Sequence, residues 1–233
     1  MKLNKKGLTE LPGELASLPK LRRLEAFGNQ ISDLSTVDGA LDRLTDVDLS
    51  DNIIHSLDSF FRLTALERLV LTGNQIDSVP SGIRELAKLE VLALDQNPIS
   101  SQPPTIGELE QLRTLALDYT TITELPVEIT KLQRLSALSL RGCRIAHLPA
   151  FLAELGELEY LYLDECGLRE LPPEVTSLRK LQQLGVSGND LSTLPAEIYD
   201  MPSPRFLNVT GNSRLTVRAT APDREPPLVL YSD

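Results

Sequence analysis

Aromatic residues and cysteines are both scarce in this sequence, so leucine and isoleucine must supply nearly all of the core. The sequence has no tryptophan, aromatic residues make up 4 % of the chain, and only two cysteines are present. Two cysteines are too few for the disulfide-capped ends common in extracellular repeat proteins. Residues 1–18 lack the apolar run of a signal peptide, and no apolar stretch is long enough for a transmembrane helix. These absences predict a cytoplasmic protein, and they fit equally a bacterial effector exported without a conventional signal peptide.

Positive charge is also scarce. The chain has 23 Lys and Arg residues against 33 Asp and Glu residues, which gives a formal net charge of −10. Nucleic acids and anionic membrane surfaces bind clustered lysine and arginine. We therefore expect neither a nucleic acid nor a membrane as partner, and a neutral or basic protein instead.

Leucine, in contrast, is abundant and recurs at a fixed spacing. Two units begin at Leu21 and Leu44, the second 22 residues long, and six more follow at a 23-residue step from Leu66, Leu89, Leu112, Leu135, Leu158 and Leu181. A half unit precedes the first of these units. A degenerate unit begins at Pro204, and the Pro-rich segment after Val217 loses the repeat. A period of this length is typical of a solenoid.

Each unit combines a short strand with a short turn. In LERLVLTGNQIDSVPSGIRELAK, which begins at Leu66, the segment LxxLxL alternates with a period of two residues and indicates a strand with one buried face. The later segment follows a proline and is too short for a long helix, so it predicts one short helical or 3₁₀ turn. One unit cannot bury its apolar residues alone, whereas stacked units would share a parallel sheet and a continuous core.

The pattern LxxLxLxxNxIxxLPxxIxxLxx resembles the leucine-rich-repeat family, in particular the 23-residue LPxxI type of bacterial proteins and plant intracellular Ras-group proteins. The resemblance covers residues 3 to about 212. It implies an α/β solenoid, a right-handed horseshoe with a concave parallel sheet and short helical or 3₁₀ turns on its convex side. We expect a half-repeat or cap at residues 1–20, eight repeats over 21–203, and a degenerate repeat, cap and Pro-rich tail over 204–233.

A polar or small residue occupies the position directly after each strand. It is asparagine in six units (Asn29, Asn52, Asn74, Asn97, Asn189 and Asn212) and Thr120, Cys143 or Cys166 in the other three. A buried polar side chain here can bond backbone groups left free where the strand turns, so we expect a structural role. Stacking of adjacent units places the Cα atoms of Cys143 and Cys166 about 5 Å apart. That distance permits a disulfide, but two reduced thiols fit a cytoplasmic protein better.

The sequence shows no arrangement typical of catalysis or metal binding. His55 and His147 are the only histidines. Each precedes an apolar residue of a different turn, without ligands at metal spacing, and we expect both to face solvent. A cysteine nucleophile would need a paired base, and neither GxxxxGK[ST] nor GxGxxG occurs. We predict a non-enzymatic protein without catalytic residues, metal or cofactor.

The residues that alternate out of the predicted concave sheet differ along its length. Small residues form a shallow trough in the middle: Val70, Val91, Ala93, Thr114, Ala116, Ala137 and Ser139. Five of the ten Phe and Tyr residues fall on the same face: Phe27, Tyr119, Tyr160, Tyr162 and Phe206. We expect the three tyrosines to border the trough on its C-terminal side. Exposed aromatic residues are favoured as interface anchors, although they also suit strands.

Charged residues follow one column beside this trough, namely Asp95, Asp118, Arg141 and Asp164. Arg141 can pair with the aspartates on either side, whereas Asp95 beside Asp118 experiences a repulsion of roughly 1 kcal/mol in water. Acidic residues near the tyrosines suggest a partner with a basic segment. Such charges affect orientation and association rate more than affinity.

We therefore predict a monomeric protein–protein interaction scaffold that binds its partner on the concave surface around residues 70–165. The predicted partner-binding residues are Tyr119, Tyr160, Tyr162, Phe206, Asp95, Asp118, Asp164, Val70 and Val91. Two other functions fit the same sequence. One is a small-ligand or peptide sensor that uses the tyrosine-lined trough, and the other is a structural or self-associating module.

Overall fold

The computed structural model describes residues 1–37, 41–201, 206–217 and 229–232. Within these ranges, ten three-residue strands form one parallel sheet in chain order. The strands are β1 (Arg23–Glu25), β2 (Asp46–Asp48), β3 (Arg68–Val70), β4 (Val91–Ala93), β5 (Thr114–Ala116), β6 (Ala137–Ser139), β7 (Tyr160–Tyr162), β8 (Gln183–Gly185), β9 (Phe206–Asn208) and β10 (Val229–Tyr231). Because β1 and β10 stand at opposite ends, the sheet is open, as the predicted solenoid requires.

The register of the sheet follows the leucine spacing. The middle residue of one strand pairs with the middle residue of the next, as in Leu92 with Leu115 and Leu115 with Leu138. These middle residues are fully buried from β1 to β7. The residues on either side of them point to the opposite face because side chains alternate along a strand. One buried column, of leucines and Val47, therefore leaves two outward columns on the concave face.

The opposite side of the solenoid is built from 3₁₀ helices, as predicted. In the described ranges they are η1 (Gly13–Ser17), η2 (Ser35–Val37), η3 (Asp58–Phe60), η4 (Ser81–Glu85), η5 (Pro104–Glu108), η6 (Val127–Lys131), η7 (Ala150–Glu154), η8 (Pro173–Ser177) and η9 (Ala196–Asp200). A proline stands directly before each helix from η4 to η9, where its fixed φ and missing N–H cost nothing. None of these helices has the length and apolar character required to cross a bilayer.

The position of the asparagine column, four residues after the end of each strand, has the predicted structural role. Asn97 is buried, and its Nδ2 donates to the Leu71 and Leu94 carbonyls, both at 2.9 Å. Its Oδ1 accepts the Ile76 N–H at 3.0 Å. One side chain thus connects two adjacent units and satisfies three backbone groups that would otherwise be buried without partners.

The two cysteines are small buried substitutes at this position, and the structure holds both as free thiols. The Sγ of Cys143 donates to the Leu117 carbonyl at 3.2 Å, and that of Cys166 to the Leu140 carbonyl at 3.0 Å. Burial raises the pKa of Cys143, and it raises the pKa of Cys166 to about 12. Both thiols are therefore protonated at neutral pH and are poor nucleophiles.

The tail corrects one prediction. The repeat is not lost throughout the segment after Val217, because Val229 of β10 pairs with Phe206 of β9, 23 residues earlier. The Val209 N–H donates to the Tyr231 carbonyl at 2.9 Å and continues the ladder. Pro204, the predicted start of the last unit, lies outside the described residues.

Candidate functional site

The concave face divides into three sectors along the sheet. The charged sector, on β1 to β3, consists of Arg23, Glu25, Asp46, Asp48 and Arg68. The apolar sector consists of the predicted trough residues on β3 to β6, from Val70 to Ser139. The aromatic sector, on β7 to β10, contains Tyr160, Tyr162, Phe206 and Tyr231. Each sector offers a different surface to a partner.

Two carboxylates of the charged sector form ion pairs. Arg23 lies 3.0 Å from Asp46, and Lys2 lies 3.1 Å from Glu25. The hydrogen bond from Lys2 is the main reason that the pKa of Glu25 is lowered. Exposed pairs of this kind contribute little to stability because solvent screens them. This end of the face is thus polar, and two of its carboxylates are engaged in ion pairs.

The apolar sector is shallow because its side chains are short. Val70 and Val91 lie on adjacent strands as predicted, with Val70 buried and Val91 half-buried. Val70 pairs with Ala93, and Ala93 with Ala116. The result is a smooth surface that a partner helix or loop could approach closely.

A hollow of about 370 Å³ opens in the aromatic sector. Tyr162 on β7 and Tyr231 on β10 stand at its two ends, three strand spacings or about 14 Å apart. The remaining lining residues are Arg141, Asp164, Gln183, Leu184, Gly185, Phe206 and Asn208. Gly185 makes room for the Asp164 carboxylate in the lining, because a Cβ at this position would lie 2.6 Å from Oδ2 of Asp164.

Tyr162 is held in place within this hollow. Its hydroxyl donates to Oε1 of Gln183 at 2.6 Å, and the guanidinium of Arg141 lies 4.0 Å from its ring centroid. Burial raises the pKa of the Tyr162 phenol, while the charge of Arg141 acts in the opposite direction. The ring is therefore a fixed, neutral wall of the hollow.

Two further aromatic side chains of the hollow are exposed. Phe206 is 39 % exposed and Tyr231 is 51 % exposed. Phe206 was among the predicted partner-binding residues, whereas Tyr231 was missed. The spacing of the repeat could have identified Tyr231. It follows its pairing partner Asn208 by 23 residues, which is the spacing between paired residues in every adjacent pair of strands from β3 onward.

Tyr119 lies apart from the other tyrosines. It stands in the turn after β5 with φ of 56°, in the left-handed region, and is 53 % exposed. Its ring lies against Gly142, where a Cβ would come within 2.4 Å of Cδ1 of the ring. The structure thus places Tyr160 and Tyr162 together on β7 and Tyr119 on the rim beside β5, rather than all three at one end of the trough.

The predicted aspartates connect successive turns. Oδ1 of Asp118 accepts the Arg141 N–H at 2.9 Å, and Oδ1 of Asp164 accepts the Ser187 N–H at 2.9 Å. The expected lateral pairs are confirmed, with Arg141 3.8 Å from Asp118 and 3.3 Å from Asp164. These carboxylates are therefore part of the framework of the face as well as part of its surface.

Asp95 belongs to the same column. Its Oδ1 accepts the Asp118 N–H at 2.8 Å, and its Oδ2 accepts the Thr72 hydroxyl at 3.2 Å. Burial raises its pKa, and the neighbouring charge of Asp118 raises it further. The like-charge contact predicted from the sequence is present.

The two histidines lie on the surface, as predicted. His55 and His147 are both exposed, and they belong to different turns. Across the described ranges, no group of three or more His, Cys, Asp or Glu side chains is placed to hold a metal ion.

Two family models match adjacent parts of the chain. The one described as "Leucine rich repeat" matches residues 42–99, and the one described as "Leucine-rich repeat region" matches residues 100–167. Together they cover more than half of the 233 residues. No curated protein matches the sequence.

Solved structures share the architecture over most of the chain. A leucine-rich-repeat protein of Leptospira interrogans is 31 % identical with a TM-score of 0.75, and the match covers 90 % of this chain and 59 % of that one. The Arabidopsis receptor kinase HAESA, solved with a peptide hormone and a co-receptor, is 26 % identical with a TM-score of 0.78 and coverages of 90 % and 37 %. The plant peptide hormone receptor RGFR1, solved with RGF2, shares the fold at 20 % identity and a TM-score of 0.72, with coverages of 88 % and 36 %. The chain thus spans 59 % or less of the length of these proteins.

Proposed function

Because the chain belongs to the leucine-rich-repeat family, we propose that it is a non-catalytic interaction module that holds a protein or peptide partner on its concave face. The observation that carries the proposal is the aromatic sector, where Phe206 and Tyr231 remain exposed around a hollow. Exposed aromatic surface of this kind is a common feature of protein interfaces.

The energetic argument follows from the exposed area. A phenylalanine or tyrosine buries on the order of 200 Å² when fully covered. Covering the exposed fractions of Phe206 and Tyr231 would contribute roughly 2 kcal/mol each, at about 25 cal/mol per Å². These two side chains therefore act as anchors, with Tyr160 and Tyr162 on the adjoining strand.

The apolar sector provides a continuous track to this anchor. From β4 to β10 the sheet extends over six strand spacings, or about 29 Å. A helix or an extended segment laid along it would cover Val91 and the small residues of β4 to β6, with one end in the hollow. HAESA, whose fold is similar, is solved with a peptide hormone and a co-receptor, which supports a peptide or protein as the bound species.

The other predicted residues would contribute further contacts with the partner. Tyr119 would contact the partner at the rim, Val70 would end the apolar track, and Asp95, Asp118 and Asp164 would favour a partner with a basic segment. We place the protein in the cytoplasm as a monomer, without nucleic acid or membrane as partner.

A protein segment suits the hollow better than a free small molecule. Ligand pockets of similar volume enclose most of the surface of the ligand. This hollow continues directly into the open face, so a small molecule in it would remain covered on one side only. A side chain that belongs to a larger segment loses nothing by this geometry, because the rest of the segment covers the opening.

The proposal is tested by affinity capture from a lysate of the source organism. Three baits are compared: the wild type, a Tyr160→Ala/Phe206→Ala/Tyr231→Ala variant, and a control with Val127→Ala on the convex side, where Val127 is 54 % exposed. All three must unfold at the same temperature. We expect a protein that the wild type and the control retain and the concave variant loses.

Other outcomes contradict this proposal in defined ways. Equal retention by all three baits would place the partner elsewhere on the molecule. Retention of no protein, together with a rise in unfolding temperature in a metabolite panel, would favour a small-ligand sensor. Concentration-dependent self-association without any partner would favour a structural module.

A further inference from the structure

The hollow of the aromatic sector has a carboxylate at its floor. Oδ1 of Asp164 accepts two hydrogen bonds from Ser187, one from the N–H at 2.9 Å and one from the hydroxyl at 2.5 Å. Oδ2 accepts only a long bond from Nε of Arg141 at 3.3 Å among the described residues. Since each carboxylate oxygen can accept two hydrogen bonds, Oδ2 retains capacity for a further donor.

Gly185 leaves room for this carboxylate beside β8. A Cβ at residue 185 would lie 2.6 Å from Oδ2 and 3.1 Å from Oδ1 of Asp164. The carboxylate therefore occupies the place that a side chain on β8 would fill. Of the neighbouring concave positions in this column, Tyr162 and Asn208 carry side chains, so Gly185 is a local gap into which Oδ2 is directed.

The local charge is negative. Arg141 is the cationic side chain that lines the hollow in the described ranges, and it is shared between Asp118 at 3.8 Å and Asp164 at 3.3 Å. Two carboxylates thus face one guanidinium. Glu165 adjoins Asp164 in the chain, and the chain as a whole carries a net charge of −10, which attracts a cation from a distance.

The aromatic walls suit the same kind of ligand. The guanidinium of Arg141 already lies over the ring of Tyr162, 4.0 Å from its centroid. Ring faces attract cations through their quadrupole, and the planar guanidinium of arginine can stack on them while its N–H groups bond a carboxylate. Phe206 and Tyr231 offer two more exposed rings that line the same hollow as Asp164.

We propose that the hollow binds a basic side chain of the partner, with arginine preferred over lysine. The guanidinium would donate to Oδ2 of Asp164 and lie against Phe206 and Tyr231. This proposal rests on the proposed function and specifies the chemistry of its anchor.

The test uses three capped amino acids as probes: N-acetyl-arginine methylamide, the lysine analogue, and the citrulline analogue, which has the shape of arginine without its charge. Each is titrated into the ¹⁵N-labelled full chain, and the amides of Gly185 and Ser187 are followed by NMR. We expect saturable shifts with arginine, weaker binding of lysine, and roughly tenfold weaker binding of citrulline. Equal binding of arginine and citrulline, or no shift at these amides, would overturn the proposal.

A matched pair of variants locates the charge responsible. Asp164→Asn keeps an oxygen acceptor for Ser187 and removes the negative charge, so we expect it to abolish the preference for arginine over citrulline. Asp48→Asn makes the same change on β2, outside the hollow, where Oδ1 of Asp48 likewise accepts the N–H and the hydroxyl of a serine, Ser50, and it should leave the preference intact. An unchanged preference in a folded Asp164→Asn variant would also contradict the assignment.

The result is separable from that of the capture experiment. A partner retained through the concave face, but without any arginine preference in the probes, would refute the basic anchor alone. An arginine preference that depends on Asp164, with no protein retained by the wild type, would refute the proposed partner binding alone.

Discussion

At the scale of single residues, the position three residues after each strand shows which side chains the fold itself selects. Its backbone is left-handed in all nine units from Gly28 to Gly211, and glycine occupies it in five of them. Glycine adopts this conformation without a steric penalty, whereas a bulky side chain does not. Tyr119 at this position is therefore not explained by the backbone.

Replacing this tyrosine separates stability from binding. We expect Tyr119→Gly to raise the free energy of unfolding by about 1 kcal/mol, because the left-handed penalty is relieved, and to weaken partner binding. Urea denaturation measures the first effect. The control is Gly142→Ala, which should destabilise because residue 142 has φ of 65° and its Cβ would meet the Tyr119 ring. A loss of stability in Tyr119→Gly would mean that the ring serves the fold.

The asparagine column contains a second contrast between units. Where asparagine is present, its Oδ1 accepts an N–H of the preceding unit, as with Ile54, Ile76 and Leu168. Where Cys143 and Cys166 replace it, the equivalent N–H groups of Ile122 and Ile145 form no hydrogen bond with any residue the structure describes. A buried donor without a partner costs free energy.

Restoring the asparagine should recover that free energy. We expect Cys143→Asn to raise the free energy of unfolding by about 1 kcal/mol, because its Oδ1 would accept the Ile122 N–H. Cys143→Ala is the control and should lower stability, since it removes the bond to the Leu117 carbonyl as well. Chemical denaturation compares the two. A destabilised Cys143→Asn variant would show that this part of the core has no room for the amide.

At the scale of strands and turns, Asp95 makes the free energy of unfolding depend on pH. Burial raises its pKa in the folded protein, so the folded state holds the proton more tightly than the unfolded state does. The resulting stability is present below the ordinary carboxyl pKa and is lost as pH rises through the raised value. We expect wild type to lose stability relative to Asp95→Asn over this rise, measured by urea denaturation from about pH 4 to pH 7.

Asp33 provides the control of opposite sign. Hydrogen bonds from Ser35 lower its pKa, so its contribution is present above the ordinary carboxyl pKa and is lost as pH falls. The free energy of unfolding of wild type relative to Asp33→Asn should therefore increase as pH rises, whereas that of wild type relative to Asp95→Asn should decrease. Parallel pH profiles for wild type and Asp95→Asn would contradict the burial of the Asp95 carboxyl.

Most strands and turns could be predicted because their cause is periodic. The leucines of LxxLxL and the prolines before η4 to η9 repeat at a fixed step, and each unit has the same backbone as its neighbours. Strand β10 was missed because a Pro-rich segment separates it from β9, although Leu230 follows Leu207 at that same step. The Pro-rich composition of the intervening segment argued against a strand, and only the 23-residue spacing indicated one.

The candidate site was less predictable because it depends on an absent side chain. The aromatic residues of β7 and β9 could be assigned to the concave face from their alternation. The Asp164 carboxylate can lie where it does because Gly185 has no Cβ, and its direction depends on Ser187 in the next unit. A contact between units that depends on one glycine occurs in a single unit, so the repeat pattern of the sequence does not predict it. The predicted partner-binding residues include Tyr162, Asp164 and Phe206 of the hollow, whereas its extension to Tyr231 was not predicted.

At the scale of the whole molecule, the described units share one continuous core, and each contacts mainly its neighbours. Central units are covered on both sides, whereas end units are covered on one. We expect amide hydrogen exchange to be slowest for Leu92, Leu115 and Leu138 in β4 to β6 and faster in β1 and β10. Exchange followed by mass spectrometry measures this gradient. Uniform protection would indicate that the whole solenoid opens in a single cooperative step.

The most direct test of partner binding on the concave face is site-specific photo-crosslinking in the source organism. A photoreactive phenylalanine analogue replaces Tyr160 on the concave face in one variant and Val127 on the convex side in the other. The account predicts a discrete crosslinked protein from position 160 and none from position 127, with the crosslink reduced by Phe206→Ala/Tyr231→Ala. Crosslinking from position 127 alone would contradict it and would assign the interaction to the convex side.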